Sequence, residues 1–350
     1  MLKRILVGCF AAIAIAGLSA IGWSAWPVSI DRQSPDPAAS FLQKSLGDDL
    51  PIVESYFEHK GNTLHYVVAG DGPTILFLHG FPSFWFSFIR QVERFSGEYR
   101  VVAIDGLGAG KSDAPSQSEE YTLEAMSEHL EALLDDLEVD QVHLVGHDWG
   151  SAFALGLAQR YPDRVASVTA ISAPSLNATL HALESDPSAR ESAAYVERFK
   201  QANPPLLVLL GTAQTIYDGA YRPLVDDGKL SQEEGALFRN ATSDPKRTNA
   251  HINWYRANLP HPDDLAESDF WPSRNARIAA PALFIWGEDD RIYNQAALDR
   301  LVELSDHSRL MMLPGVGHWP HVREAEAVNA AIADHIEAAT RDSAAPETED

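Results

Sequence analysis

An α/β architecture is predicted: a mostly parallel, eight-stranded sheet with helices on both faces and an inserted helical segment. Three observations predict it. Strand-like runs alternate with helical patterns, which is how a parallel sheet covered on both sides is written in sequence. Several runs are apolar at every position, as in Ile75–Leu76–Phe77–Leu78, which suits strands buried on both faces. The alternation lapses between about Ala173 and Pro272, where helix-like pieces and scattered prolines replace strands.

In chain order, the strand-like runs are Val53–His59, Thr63–Ala69, Thr74–His79, Arg100–Ile104, Gln141–Gly146, Arg164–Ser172, Ala282–Trp286 and Arg309–Leu313. Helical patterns fall at about Phe84–Phe95, Thr122–Leu137, Trp149–Arg160, Asn294–Glu303 and His321–Ala339. Inside the gap, Glu191–Gln201, Gln232–Asn240 and Pro245–Ala257 read as helices lying over the C-terminal edge of the sheet, where ligands bind in such folds. The expected organisation is a membrane or signal segment over 1–26, a linker over 27–50, and core over 51–172. A helical cap follows over 173–272, then core over 273–340 and a disordered acidic tail over 341–350.

The formal charge of −23 leaves no basic surplus to meet phosphates, which argues against a nucleic-acid partner. The one cysteine, Cys9, excludes an internal disulfide and a cysteine-based metal site. Lys3 and Arg4 precede an uncharged run, Ile5–Trp23, long enough to span a bilayer, with Trp23 and Trp26 suited to its interface. An uncleaved anchor with membrane contact through 5–26 is expected, with a cleaved signal as the alternative. Either puts the rest of the chain outside the cytoplasm. Asn177 and Asn240 head glycosylation sequons.

The chemistry concentrates at Val145–Gly146–His147–Asp148–Trp149–Gly150. The layout is that of a nucleophile on a strained strand-to-helix turn, with small flanking residues giving room, and with Asp148 in the nucleophile's place. Read alone, it is equally an aspartate capping a helix. As a nucleophile, a carboxylate attacks a carbon electrophile and forms an alkyl ester that water must then cleave.

Three further loops follow buried strands. His79–Gly80–Phe81–Pro82 can present the Phe81 amide to an oxyanion, with the Trp149 amide as second donor. Trp286–Gly287–Glu288–Asp289–Asp290 offers a carboxylate to orient a histidine, Asp290 before Asp289. Gly315–Val316–Gly317–His318–Trp319–Pro320 holds His318 on a shaped loop. The order Asp148, Asp290, His318 is nucleophile, acid, histidine. His143 and His147 lie on a strand and turn, not on one helical face, so no metal is expected, and no cofactor.

On these residues the chain resembles the α/β-hydrolase superfamily and, within it, the epoxide hydrolases, over about Ile52 to Ala339. Ala194–Tyr195–Val196–Glu197–Arg198–Phe199 and Asn253–Trp254–Tyr255–Arg256 are similar to the two segments that carry lid tyrosines in that family. The resemblance implies that Tyr195 and Tyr255 donate to the ring oxygen of a small apolar epoxide while Asp148 attacks a ring carbon. His318, oriented by Asp290, then activates water. The departures are Asp105–Gly106–Leu107–Gly108, which lacks the family's Arg–Gly–Tyr, Ser151 in place of a second glycine, and Lys200–Gln201–Ala202–Asn203–Pro204 after the first tyrosine segment.

The leading alternative is a haloalkane dehalogenase, which shares the aspartate and histidine. Phe81 stands where those enzymes often have an Asn halide donor. A fluoroacetate dehalogenase is disfavoured because Trp149 replaces an Arg. A non-catalytic ligand-binding protein on the same fold is the third reading.

Overall fold

A computed structural model describes residues 28–201, 211–292 and 294–344. Eight strands form one sheet in the order β1-β2-β4-β3-β5-β6-β7-β8. They are β1 Val53–His59, β2 Asn62–Ala69, β3 Thr74–Leu78, β4 Arg100–Ile104, β5 Val142–His147, β6 Val165–Ile171, β7 Ala282–Gly287 and β8 Ser308–Leu313. β2 runs antiparallel to β1 and β4, and every other pairing is parallel. β3 and β5 are buried at every position, the consequence of helices on both faces. Strand order reverses between β4-β3 and β3-β5, and the crevice beyond the C-terminal strand ends is where such sheets bind ligands.

Two hydrophobic clusters flank the sheet. One contains Leu76, Leu144 and Phe284 with the helices Leu123–Asp136 and Trp149–Arg160. The other contains Ile75, Phe77, Val145 and Ile285 with the helices Ile89–Phe95 and Ala325–Ala344. Between β6 and β7 no strand occurs among the described residues. The chain there forms helices that include Leu176–Ser185, Ala194–Lys200, Gln232–Ala241, Pro245–His251 and Asn253–Asn258.

Several sequence expectations change in detail. The stretch read as a linker contains a helix, Pro37–Leu46, capped by Asp36 and burying Leu42 completely. Its anchor is the Asp36 carboxylate, which also accepts from the Trp85 indole at 2.7 Å. Expected single helices break: Phe84–Phe95 opens with the 3-10 turn Trp85–Phe88, and the helix expected over Glu191–Gln201 is interrupted at Ala193. The last helix runs on through Ala344, so 341–344 are not a loose tail as expected. Asn177 is fully buried and bonded to Ser175 and Gln159, which shields that sequon in the folded chain. Among the described residues no helix is long and apolar enough to cross a membrane, and the anchor or signal expectation, Ile5–Trp26, lies outside those residues.

Candidate active site

The sheet delivers four loops to one place. Asp148 follows β5 and takes φ 53°, ψ −124°, a conformation that costs a non-glycine residue energy. Its neighbours make the turn possible. A Cβ on Gly150 would overlap the Leu78 carbonyl, and one on Gly146 would overlap the Gly150 carbonyl. Ser151, the departure from a second glycine, is used: its hydroxyl accepts from the Ile171 amide at 2.8 Å and lies 2.8 Å from the Gly146 carbonyl, stitching the turn to β6.

The capping reading of Asp148 fails here, because its carboxylate does not accept from the second or third amide of the helix, as a cap would. Oδ1 accepts from the Phe81 amide at 2.8 Å, and the adjacent Trp149 amide helps stabilise the carboxylate charge. Gly80 is required for this approach, since a Cβ there would run into the Asp148 side chain. Gly80 is a functional position that motif reading passed over. Its signal was the glycine immediately before the donor amide.

Oδ2 faces the histidine: His318 Nε2 lies 3.4 Å from it. His318 Nδ1 lies 2.9 Å from Asp290 Oδ2, while the other Asp290 oxygen accepts from the Ile292 amide at 2.9 Å. Asp290 is buried, whereas Glu288 and Asp289 are exposed, so Asp290 is the carboxylate of this loop that meets His318. Burial alone would lower the His318 pKa, but the Asp290 charge and the bonds to both carboxylates hold it up at about 10. Burial likewise opposes ionisation of Asp148, yet its bond to His318 and the Trp149 amide keep it below the ordinary carboxylate value.

Tyr255 is buried and Tyr195 half-buried, and their rings meet edge-on with centroids 6.2 Å apart. The Tyr255 ring stands edge-on to Phe81 and Trp149, at 5.4 and 5.1 Å. Burial foremost, and next for Tyr195 the charge of Asp148, raise both phenol pKa values, so both remain proton donors across the working range.

Every sequence-predicted site residue thus meets the others here. Asp148, Tyr195 and Tyr255 line both arms of the cavity. One arm is a narrow void of about 120 Å³ walled by Ala152, Ala182, Ala189, Ala193, Ala297 and Trp286. The other, about 1030 Å³, runs past Phe81, Phe199, Ile216 and His318. No motif announced these alanines, because they come from core helices (Ala152, Ala297) and from the cap (Ala182, Ala189, Ala193) and are brought together only by the fold.

The sheet order and the strained turn define the α/β-hydrolase architecture. A family model described as alpha/beta hydrolase fold matches residues 73–325, and the chain belongs to that family. Epoxide hydrolase 3 of Xenopus tropicalis is 32% identical over 322 residues, spanning 89% of this chain and 84% of that protein. Epoxide hydrolase 4 of Mus musculus is 27% identical, spanning 87% and 84%. Among solved structures, an epoxide hydrolase mutant of Vigna radiata superposes with a TM-score of 0.69 at 27% identity, covering 82% of this chain and 98% of that one. An epoxide hydrolase of the α/β-hydrolase superfamily from hot-environment metagenomes gives 0.71 at 26%, covering 81% and 98%.

Proposed function

We propose that the protein is an epoxide hydrolase that converts a small apolar epoxide and water to a vicinal diol through an ester on Asp148. The observation that carries the reading is the division of labour at Asp148: the Phe81 amide holds Oδ1, and Oδ2 faces His318. The similarity to proteins named epoxide hydrolases supports it along most of the chain.

Oδ2 attacks a ring carbon as Tyr195 and Tyr255 donate to the ring oxygen. The carbon–oxygen bond breaks, and the alkoxide takes a phenolic proton. Ester formation removes the Asp148 charge, one of the supports of the high His318 pKa. His318 therefore releases its proton, restores the phenol and becomes a free base. It then accepts a proton from water, which attacks the ester carbon. Charge collects on Oδ1, the oxygen already held by the Phe81 amide, with the Trp149 amide as the second donor beside it. The tetrahedral intermediate collapses by breaking the bond from the carboxyl carbon to the alkoxy oxygen, that oxygen takes the second proton of the added water, and the diol departs as the Asp148 carboxylate is regenerated.

The two arms favour epoxides with unequal substituents. An unbranched alkyl group suits the narrow alanine-walled arm, and a bulkier group the wide one. Residues 173–272 act as the cap that shapes both arms. The uncharged run Ile5–Trp23 supports placement outside the cytoplasm, anchored or exported.

Incubation with a chromogenic aryl epoxide tests the function, with diol formation expected. Halide release from a haloalkane without diol formation would replace it with the dehalogenase reading, and binding without turnover with the non-catalytic one. In His318→Gln, the ester is expected to persist on Asp148 and to be visible by mass spectrometry.

A further inference from the structure

A second buried side chain of the turn, His147, reaches the catalytic histidine from behind. Its Nε2 lies 2.7 Å from the backbone oxygen of His318. A carbonyl only accepts, so the proton of His147 sits on Nε2 and is donated to that oxygen. The bond falls where the backbone needs one. His318 follows Gly315–Val316–Gly317, Gly315 has φ +71°, and a side chain on either glycine would meet nothing closer than 4.0 Å. No other hydrogen bond to the Gly317–His318 backbone occurs among the described residues.

The His147 ring is itself clamped. Its centroid lies 4.3 Å from that of His321, 4.7 Å from Trp319 and 4.8 Å from His318. His147 and His321 are both fully buried, and burial together with the His318 charge keeps both neutral. Nδ1 of His147 and both ring nitrogens of His321 lack hydrogen-bond partners among the described residues. Unpaired buried nitrogens are destabilising, and a phenyl ring at 147 would stack as well without one. An imidazole at 147 therefore has a use that packing does not supply, and the donated Nε2 proton is that use.

We propose that His147 is a positioning residue for ester hydrolysis, tethering the His318 carbonyl so that the His318 imidazole stays aligned on the ester carbon. The tether is not needed for the first step, in which Asp148 is held by the Phe81 and Trp149 amides. This inference rests on the epoxide hydrolase reading, and the experiment separates the two.

Single-turnover reactions of the full-length protein with an aryl epoxide would follow the Asp148 ester by mass spectrometry in wild type, His147→Phe, His147→Leu and His147→Gln. The two apolar variants should form ester at the wild-type rate and hydrolyse it about 10–100-fold more slowly. Their kcat and KM should fall together, leaving kcat/KM within about threefold. His147→Gln keeps an N–H donor and should hydrolyse ester within about threefold of wild type. Wild type that opens no epoxide would overturn the parent reading. Wild type that turns over while an apolar variant hydrolyses ester normally would overturn this inference alone. So would a fall in kcat/KM without ester accumulation, or failure of both apolar variants to fold by circular dichroism, either of which would make His147 structural.

Discussion

Replacing Asp290 by Asn changes the charge and the proton position of His318 while leaving its shape alone. In the native protein Asp290 Oδ2 accepts from Nδ1 at 2.9 Å, so the base nitrogen, Nε2, is the one turned toward Asp148. The elevation of the His318 pKa from 6.5 to about 10 corresponds to about 5 kcal/mol of preferential stabilisation of imidazolium, and the Asp290 charge is its largest favourable source. An amide removes that charge and can offer its own N–H to Nδ1. The neutral ring then carries its proton on Nε2, where it can donate but not accept. Attack by Asp148 needs no base and should proceed within about tenfold of the native rate. Ester hydrolysis needs one, and general-base catalysis of this kind contributes about 10²–10⁴-fold. Stopped-flow and rapid-quench measurements should show a full burst of ester on Asp148 followed by hydrolysis slowed by about that factor. Hydrolysis slowed less than tenfold, or loss of the burst itself, would refute the assignment of Asp290 as the orienting carboxylate.

Other expectations follow from the same geometry. Tyr255→Phe should reduce the alkylation rate, read as kcat/KM, by about 10–100-fold while leaving hydrolysis of preformed ester unchanged, because the phenol donates only to the opening ring. Ala152→Leu should obstruct the narrow arm, costing about 10–200-fold in kcat/KM for epoxides with an alkyl chain on that side and little for those without. A pH effect on stability is expected away from the active site, at the fully buried His65. Burial alone would lower its pKa, but its 2.7 Å bond to Asp105 and the Glu54 carboxylate 3.6 Å from its Nε2 raise it from 6.5 to about 9. A raised histidine pKa stabilises the fold fully below about pH 6.5, and the effect is lost as pH rises through about 9. Relative to His65→Gln, the wild type should therefore lose up to about 3 kcal/mol of unfolding free energy across that window, measured by urea titration.

The legible parts of this protein were those with local causes. Period and composition located all eight strands, because a strand buried on both faces must be apolar along its length, as β3 and β5 are. The spacing Gly146–Asp148–Gly150 was readable because a turn this tight tolerates no Cβ at either flank. Asp148, Asp290 and His318 could be placed because each loop directly follows a strand, and strand ends in a parallel sheet share one edge. Helix breaks were less legible. The interruptions at Ala193, Ile252 and Glu324 fall within continuous helical patterns and reflect how neighbouring segments pack. The helix at Pro37–Leu46 was hidden for a similar reason: its polar, proline-punctuated stretch is tied to the core where Asp36 meets Trp85, 49 positions away.

The sequence by itself thus determined the sheet, the strained turn and which side chains the loops bring to one edge, since each depends on periodicity or on residues a few positions apart. Only the tertiary structure decided that Asp148 meets the Phe81 amide rather than capping its helix, that the sequence preference for Asp290 over Asp289 holds at His318, that two tyrosines from separate helices meet edge-on, and that alanines wall the narrow arm. Those outcomes depend on contacts between residues tens to hundreds of positions apart, and no local pattern encodes the distance across a packed interior.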